Sequence, residues 1–207
     1  MYNCIFTAHC TESFCDKSCP ILVETSYLLE RNGISMNSSV FSDTSVDIDR
    51  MTKVLEKSNN KIGALVVPPG KTNWTTVQSA ELLTYCAICH NWQGSRLHCN
   101  VYNLKYSKYL DELKKSWNGK GEPEELEYMR IWSETSKVLI ISNLDYVNFG
   151  DFESQTLLNL LQTRQTGNQT TILVVPPLKS LVSSRNNSLF FTALKARLSD
   201  AVKVVSG

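Results

Sequence analysis

The chain has 207 residues, 42% of them hydrophobic, and its 21 basic and 20 acidic side chains leave a net charge of +1. That length suits one medium domain with a small appendage, and the apolar content is enough for a core. The charge balance excludes a global field for nucleic acid, no stretch is apolar for the roughly 18 residues of a membrane span, and Met1–Cys10 lacks a signal-peptide layout, so the chain reads as cytoplasmic with no membrane contact.

Residues 1–35 read as a Cys-rich module. Of seven cysteines, Cys4, Cys10, Cys15 and Cys19 fall within the first nineteen residues. An odd number in a reducing compartment argues against complete disulfide pairing. Thiolates this close in sequence can converge on one metal at low loop cost. The run Cys10-x4-Cys15-x3-Cys19-Pro20 is not a zinc-finger CxxC pair and resembles a loop around an iron–sulfur cluster, with zinc the alternative. The plain reading is that these cysteines are small buried hydrophobes. Pro20 to Gly33 is expected to be a helix with proline in its first turn and Asn32-Gly33 as its stop. Residues 36–60 read as a linker, rich in Ser, Asn and Asp, followed by a helix over 45–58.

From residue 61 to 207 apolar runs alternate with helical periods. Strands are expected at 62–67, 97–104, 137–142, 171–175 and 201–205, with helices at 75–92, 106–117, 124–134, 152–165 and 188–200. A short helix is also expected near 178–183. Strands apolar on both faces indicate a buried parallel sheet, here of five strands in an α/β core. Ligands in such sheets sit at the carboxyl ends of the strands.

The stretch Leu65-Val-Val-Pro-Pro-Gly-Lys-Thr-Asn-Trp-Thr-Thr76 is the candidate ligand loop. Strand, glycine turn and helix N-terminus together present backbone N–H groups to phosphate. Gly70-Lys71-Thr72 matches the end of a P-loop, but the glycine required five residues earlier is Leu65, and two prolines remove N–H donors.

The order of elements resembles the DnaC-type helicase loaders, AAA+ relatives of the initiator ATPase. The resemblance covers residues 61–205 and rests on layout: the loop Pro68–Thr72, the strand Cys99–Leu104 running into Tyr106–Trp117, the strand Val138–Ile141, the helix Glu153–Arg164, the strand Thr171–Val175 and Leu194–Arg197. It implies an AAA+/RecA-like core that binds ATP with Mg²⁺ and single-stranded DNA, beside an N-terminal module that contacts a hexameric replicative helicase. It places nucleotide contacts at Gly70, Lys71, Thr72 and Asn73, the last because aligning Pro69-Gly70 with the family's Pro-Gly brings the phosphate-binding lysine to Asn73. The acids that hold Mg²⁺ and orient water correspond to Ser142 and Asn143, with Asp145 the nearest carboxylate. Arg197 is the candidate arginine finger, and Pro176-Pro177 replaces a polar sensor. Three eroded motifs imply a degenerate AAA+-like domain with weak or absent ATPase activity.

Two further clusters have competing readings. Cys86-x-x-Cys89-His90 matches a haem-attachment pattern, but Leu82, Leu83, Cys86 and Cys89 recur at helical spacing and read as core, as does Cys99. Lys105, Tyr106, Lys108 and Tyr109 mix aromatics with bases as single-stranded nucleic-acid sites do. The same residues also fit an amphipathic helix whose tyrosines pack and whose lysines are solvated.

The reading that follows is a phage or mobile-element replication accessory protein of helicase-loader type. It would bind a replicative helicase or another replisome subunit and single-stranded DNA, within an oligomer or hetero-complex. The alternatives are an active ATPase using Lys71, Thr72 and Asp145, and a non-catalytic structural or regulatory subunit.

Overall fold

The computed structural model describes residues 20–35, 45–67, 75–92, 99–177, 188–197 and 203–205. In chain order the elements are α1 (Pro20–Arg31), α2 (Ser45–Lys57), β1 (Ile62–Val66), α3 (Thr76–His90), β2 (Val101–Lys105), α4 (Tyr106–Trp117), α5 (Pro123–Thr135), β3 (Val138–Ser142), α6 (Asp151–Thr166), β4 (Thr170–Val175), α7 (Ser188–Arg197) and β5 (Lys203–Val205). The expected helix near 178–183 and Cys4, Cys10, Cys15 and Cys19 lie outside the described residues.

The strands form one sheet in the order β2-β3-β4-β1-β5, and every neighbouring pair is parallel. Four strands of five or six residues make its body; β5, of three residues, extends the β1 edge. Successive residues of a strand point to opposite faces, so a continuous apolar run serves two cores at once. Leu65, Val101, Val138, Ile140, Ile172 and Val174 face α1, α2 and α3. Ala64, Tyr102, Leu104, Leu139, Ile141, Leu173 and Val175 face α4, α5, α6 and α7. Residues 20–35, the described part of the expected module 1–35, contribute Leu28, Leu29 and Ile34 to the first of these cores.

The turn that ends α1 also closes the free edge of β2. Asn32 Oδ1 accepts the Asn103 N–H at 2.6 Å, and Arg31 donates to the Val101 carbonyl at 3.2 Å. Gly33 permits this turn at φ +67, and its carbonyl accepts from Lys105 Nζ at 3.1 Å. An edge strand without such cover would be open to pairing with another chain.

In β1 the sheet lies against Ser58. A Cβ added at Gly63 would run into the Ser58 Oγ and come within 2.8 Å of its Cβ. Gly63→Ala is therefore expected to cost about 1–3 kcal/mol in a urea unfolding curve, and Ser58→Gly in the same chain to recover most of the loss.

Candidate functional site

The sheet order places one ligand crevice. After β1, α3 covers the first face and leads to β2 at the far edge, whereas after β4, α7 lies on the second face and leads to β5 beyond β1. The adjacent strands β1 and β4 thus send their connections in opposite directions, and the crevice outside their carboxyl ends is the topological switch point where α/β sheets hold ligands. The expected phosphate loop leaves β1 at this point, although Gly70, Lys71, Thr72 and Asn73 lie outside the described residues.

The far side of that loop is well defined. Thr75 is the N-cap of α3: its Oγ1 accepts the Gln78 N–H at 3.2 Å, and Gln78 Oε1 accepts the Thr75 N–H at 3.0 Å. This reciprocal capping box occupies two donors that a phosphate-binding helix would turn towards its ligand. The first hydroxyl of the helix belongs to Thr76, and Thr72 lies ahead of the helix. Thr76 Oγ1 donates to Asp145 Oδ2 at 2.8 Å.

Asp145 reaches Thr76 because the chain turns sharply after β3. Asn143 adopts the left-handed conformation, with φ 61 and ψ 29, and a single 3-10 turn over Leu144–Tyr146 follows. Asparagine tolerates that conformation better than most residues. A helix-opening threonine bonded to an acid that follows a strand is the arrangement that holds Mg²⁺ in P-loop nucleotidases. One carboxylate and one hydroxyl fit a hydrated Mg²⁺ brought in by phosphate oxygens, since Mg²⁺ retains waters and needs few protein ligands. Among the described residues, no group of three His, Cys, Asp or Glu side chains gathers as a metal cage of its own.

The hydrolytic half of the site has other employment. Ser142, at the carboxyl end of β3, is buried, and its Oγ donates to Asn103 Oδ1 at 2.8 Å. Asn103 is in turn bonded through its N–H to Asn32. The position where the resemblance expects an acid is thus a neutral, satisfied hydrogen bond inside the sheet. Arg197 ends α7, and its side chain lies outside the described residues.

The nucleic-acid candidates divide. Tyr106 is fully buried, with its hydroxyl donating to the Glu153 carbonyl at 2.6 Å, and Tyr109 is buried beside it. Lys108 pairs with Glu125, and Lys105 is held by Gly33. The helical period of α4 therefore turns both tyrosines into the core, and neither ring is available to stack on a base. Trp117, at the end of the same helix, is 65% exposed and meets Phe152 edge-on, with ring centroids 4.6 Å apart.

Cys86 and Cys99 are core residues, as their spacing indicates. Burial pushes the Cys86 thiol up to about 12 and the Cys99 thiol up to about 11. Neither forms thiolate near neutral pH, so peptide mapping after iodoacetamide treatment at pH 8 should find both unlabelled until the chain is unfolded.

This geometry has a counterpart among known structures. The replication initiator DnaA bound to AMPPCP and single-stranded DNA superposes with a TM-score of 0.53 at 11% identity, over 86% of this chain and 49% of that one. The chain shares the fold of the matched part of that DnaA. It spans about half the length of that DnaA. AMPPCP-bound DnaA from Aquifex aeolicus gives a TM-score of 0.49 at 8% identity, over 77% of this chain and 44% of its own. A DnaC helicase loader gives 0.47 at 14% identity, over 82% of this chain and 91% of its own. No family model matches the sequence, and no curated protein does. No helix among the described residues is long and apolar enough to cross a membrane.

Neither the Thr76–Asp145 bond nor the Asn32–Asn103–Ser142 chain shows directly in the sequence. Thr75-x-x-Gln78 carries the capping-box signature and would have placed the helix start, and so Thr76. The Asn32–Asn103–Ser142 chain depends on strand register and has no local signal.

Proposed function

We propose that the protein is a replication accessory factor of initiator or helicase-loader type, in which an AAA+ core retains a weak Mg²⁺–nucleotide corner but has lost hydrolysis. The observation that carries this reading is the Thr76–Asp145 pair at the switch point, next to a Ser142 withdrawn into the sheet. The AAA+ fold shared with a DnaA that binds a nucleotide analogue and single-stranded DNA supports the choice of a replication role. The partners are then a replicative helicase or other replisome subunit and single-stranded DNA. Cys4, Cys10, Cys15 and Cys19 would hold zinc or an iron–sulfur cluster in the segment that meets the protein partner.

The test is binding of the purified protein to a labelled single-stranded oligonucleotide and to a hexameric replicative helicase, with and without ATP and Mg²⁺. Binding to at least one is expected; binding to neither contradicts the role. Metal analysis and the visible absorbance of the same preparation distinguish zinc, an iron–sulfur cluster and metal-free cysteines.

A further inference from the structure

Outside the β2 edge, α1 and α5 meet and leave an apolar strip in solvent. On α1, Val23, Tyr27 and Arg31 follow at four-residue spacing and share one face. On α5, Tyr128, Ile131 and Trp132 stand at i, i+3 and i+4 and likewise share a face. The Arg31 guanidinium lies 4.3 Å above the Trp132 ring and joins the two rows. Beneath, Tyr128 meets Tyr102 edge-on with centroids 6.1 Å apart and lies tilted against Trp132 at 5.9 Å, so aromatic contacts back the strip. Six large hydrophobic side chains are exposed among the described residues, and four of them, Val23, Tyr27, Tyr128 and Ile131, lie on these rows. That concentration marks a surface with a use, since scattered single hydrophobics are ordinary.

Charge selects the class of partner. α5 carries Glu124, Glu125, Glu127 and Glu134 against Arg130, and Arg130 is already engaged by Glu127 at 2.9 Å. α1 adds Glu24 and Glu30 against Arg31, and Lys105 and Lys108 line the cleft between the two helices, Lys108 paired with Glu125, so six acids stand against four bases on this border, in a chain whose net charge is +1. An acidic border repels the phosphates of nucleic acid and of anionic lipid, and attracts lysine and arginine.

We propose that the α1/α5 face docks an amphipathic helix of a partner protein, whose apolar stripe covers Val23, Tyr27, Tyr128 and Ile131 and whose flanking bases meet the glutamates. This is recognition of a helix by its i, i+3, i+4 anchors on an exposed apolar track. The face borders β2, whereas the nucleotide corner lies between β1 and β4, so the proposal stands whether or not that corner binds ATP.

The probes are a synthetic leucine–lysine amphipathic helix, a leucine–glutamate helix with the same apolar stripe, and a single-stranded oligonucleotide, each followed by fluorescence anisotropy with the full chain. The lysine helix is expected to bind and the glutamate helix not to. Tyr27→Ser and Ile131→Glu should each weaken binding by about tenfold or more, a change of about 1.4 kcal/mol. Trp117→Ser, at an exposed aromatic elsewhere, should leave it unchanged. Ile131→Glu adds a negative charge, so attraction by charge alone would tighten the complex. Equal or tighter binding in the variants overturns the proposal, as does failure of the lysine helix to bind. Loss of oligonucleotide binding in the same two variants would overturn it in favour of a nucleic-acid surface. All these positions are exposed, and matching melting curves confirm that the variants fold.

Discussion

Replacing Arg164 by methionine is expected to destabilise the protein by about 3–5 kcal/mol, measured as the shift of a urea unfolding curve. Arg164 is fully buried near the end of α6, and its hydrogen bonds among the described residues go to hydroxyl and carbonyl oxygens. Its Nε donates to Thr171 Oγ1 at 2.6 Å. One terminal nitrogen reaches the Ser133 carbonyl at 2.9 Å, and the other reaches the carbonyls of Ser136 at 2.9 Å and Thr170 at 2.7 Å. One guanidinium thus ties the end of α5 to the start of β4. Burial lowers its pKa to about 10, still far above neutral, so the group remains charged and every donor is present. Methionine fills similar space but leaves three buried carbonyls and a hydroxyl without a donor, each costing about 1–3 kcal/mol before relaxation. Lysine should fare nearly as badly, because a single ammonium cannot span acceptors that a planar fork reaches from both sides. Wild-type stability in Arg164→Lys would show that charge alone matters there. A domain with a total stability of about 5–15 kcal/mol does not absorb such a loss easily.

The second large effect is expected at Ser142. Restoring an acid there should not restore an enzyme. Ser142→Asp places a carboxylate at a site that is 2% exposed, beside the Asn103 amide and the Leu104 carbonyl, while Lys105, opposite it in the β2–β3 pairing, has its ammonium held by the Gly33 carbonyl. Desolvation raises the pKa of such a group above its unfolded value. Its folded form therefore holds the proton more tightly than the unfolded chain does, and stability is lost as pH rises above about 4. The variant should be about 3 kcal/mol less stable than wild type at pH 7 and close to it at pH 4, when each is compared with wild type at the same pH. A Ser142→Asp protein as stable as wild type at pH 7 would show that the end of β3 opens to solvent or metal, and the corner would then have to be reconsidered as catalytic.

Much of this architecture is legible in the sequence because burial on both faces leaves an unbroken apolar mark. Leu139, Ile140 and Ile141 read as a strand for that reason, and the glycine and proline breaks at 119–123 bound α4 and α5 correctly. What escapes is whatever depends on register between distant segments. Arg164 stands near a helix end, where arginine ordinarily caps carbonyls in solvent, and nothing local marks it as buried. Ser142 and Asn103 look like a missing acid and a strand polar residue until β2 and β3 pair. Tyr106 and Tyr109 show the opposite case: one spacing fits a stacking platform and a core face alike, and only the packing of α4 against Phe149 and α6 decides. At the candidate corner, Asp145 stands out in the sequence as the nearest carboxylate, whereas Thr76 is marked only indirectly, by the Thr75-x-x-Gln78 capping box behind Gly70-Lys71-Thr72.

The most direct test of the account is ATP turnover with Mg²⁺ by the wild-type protein beside Asp145→Asn, with nucleotide binding measured on the same samples. Turnover is expected at background in both proteins, together with weak nucleotide binding that Asp145→Asn reduces. A wild-type rate well above background that Asp145→Asn abolishes would contradict it.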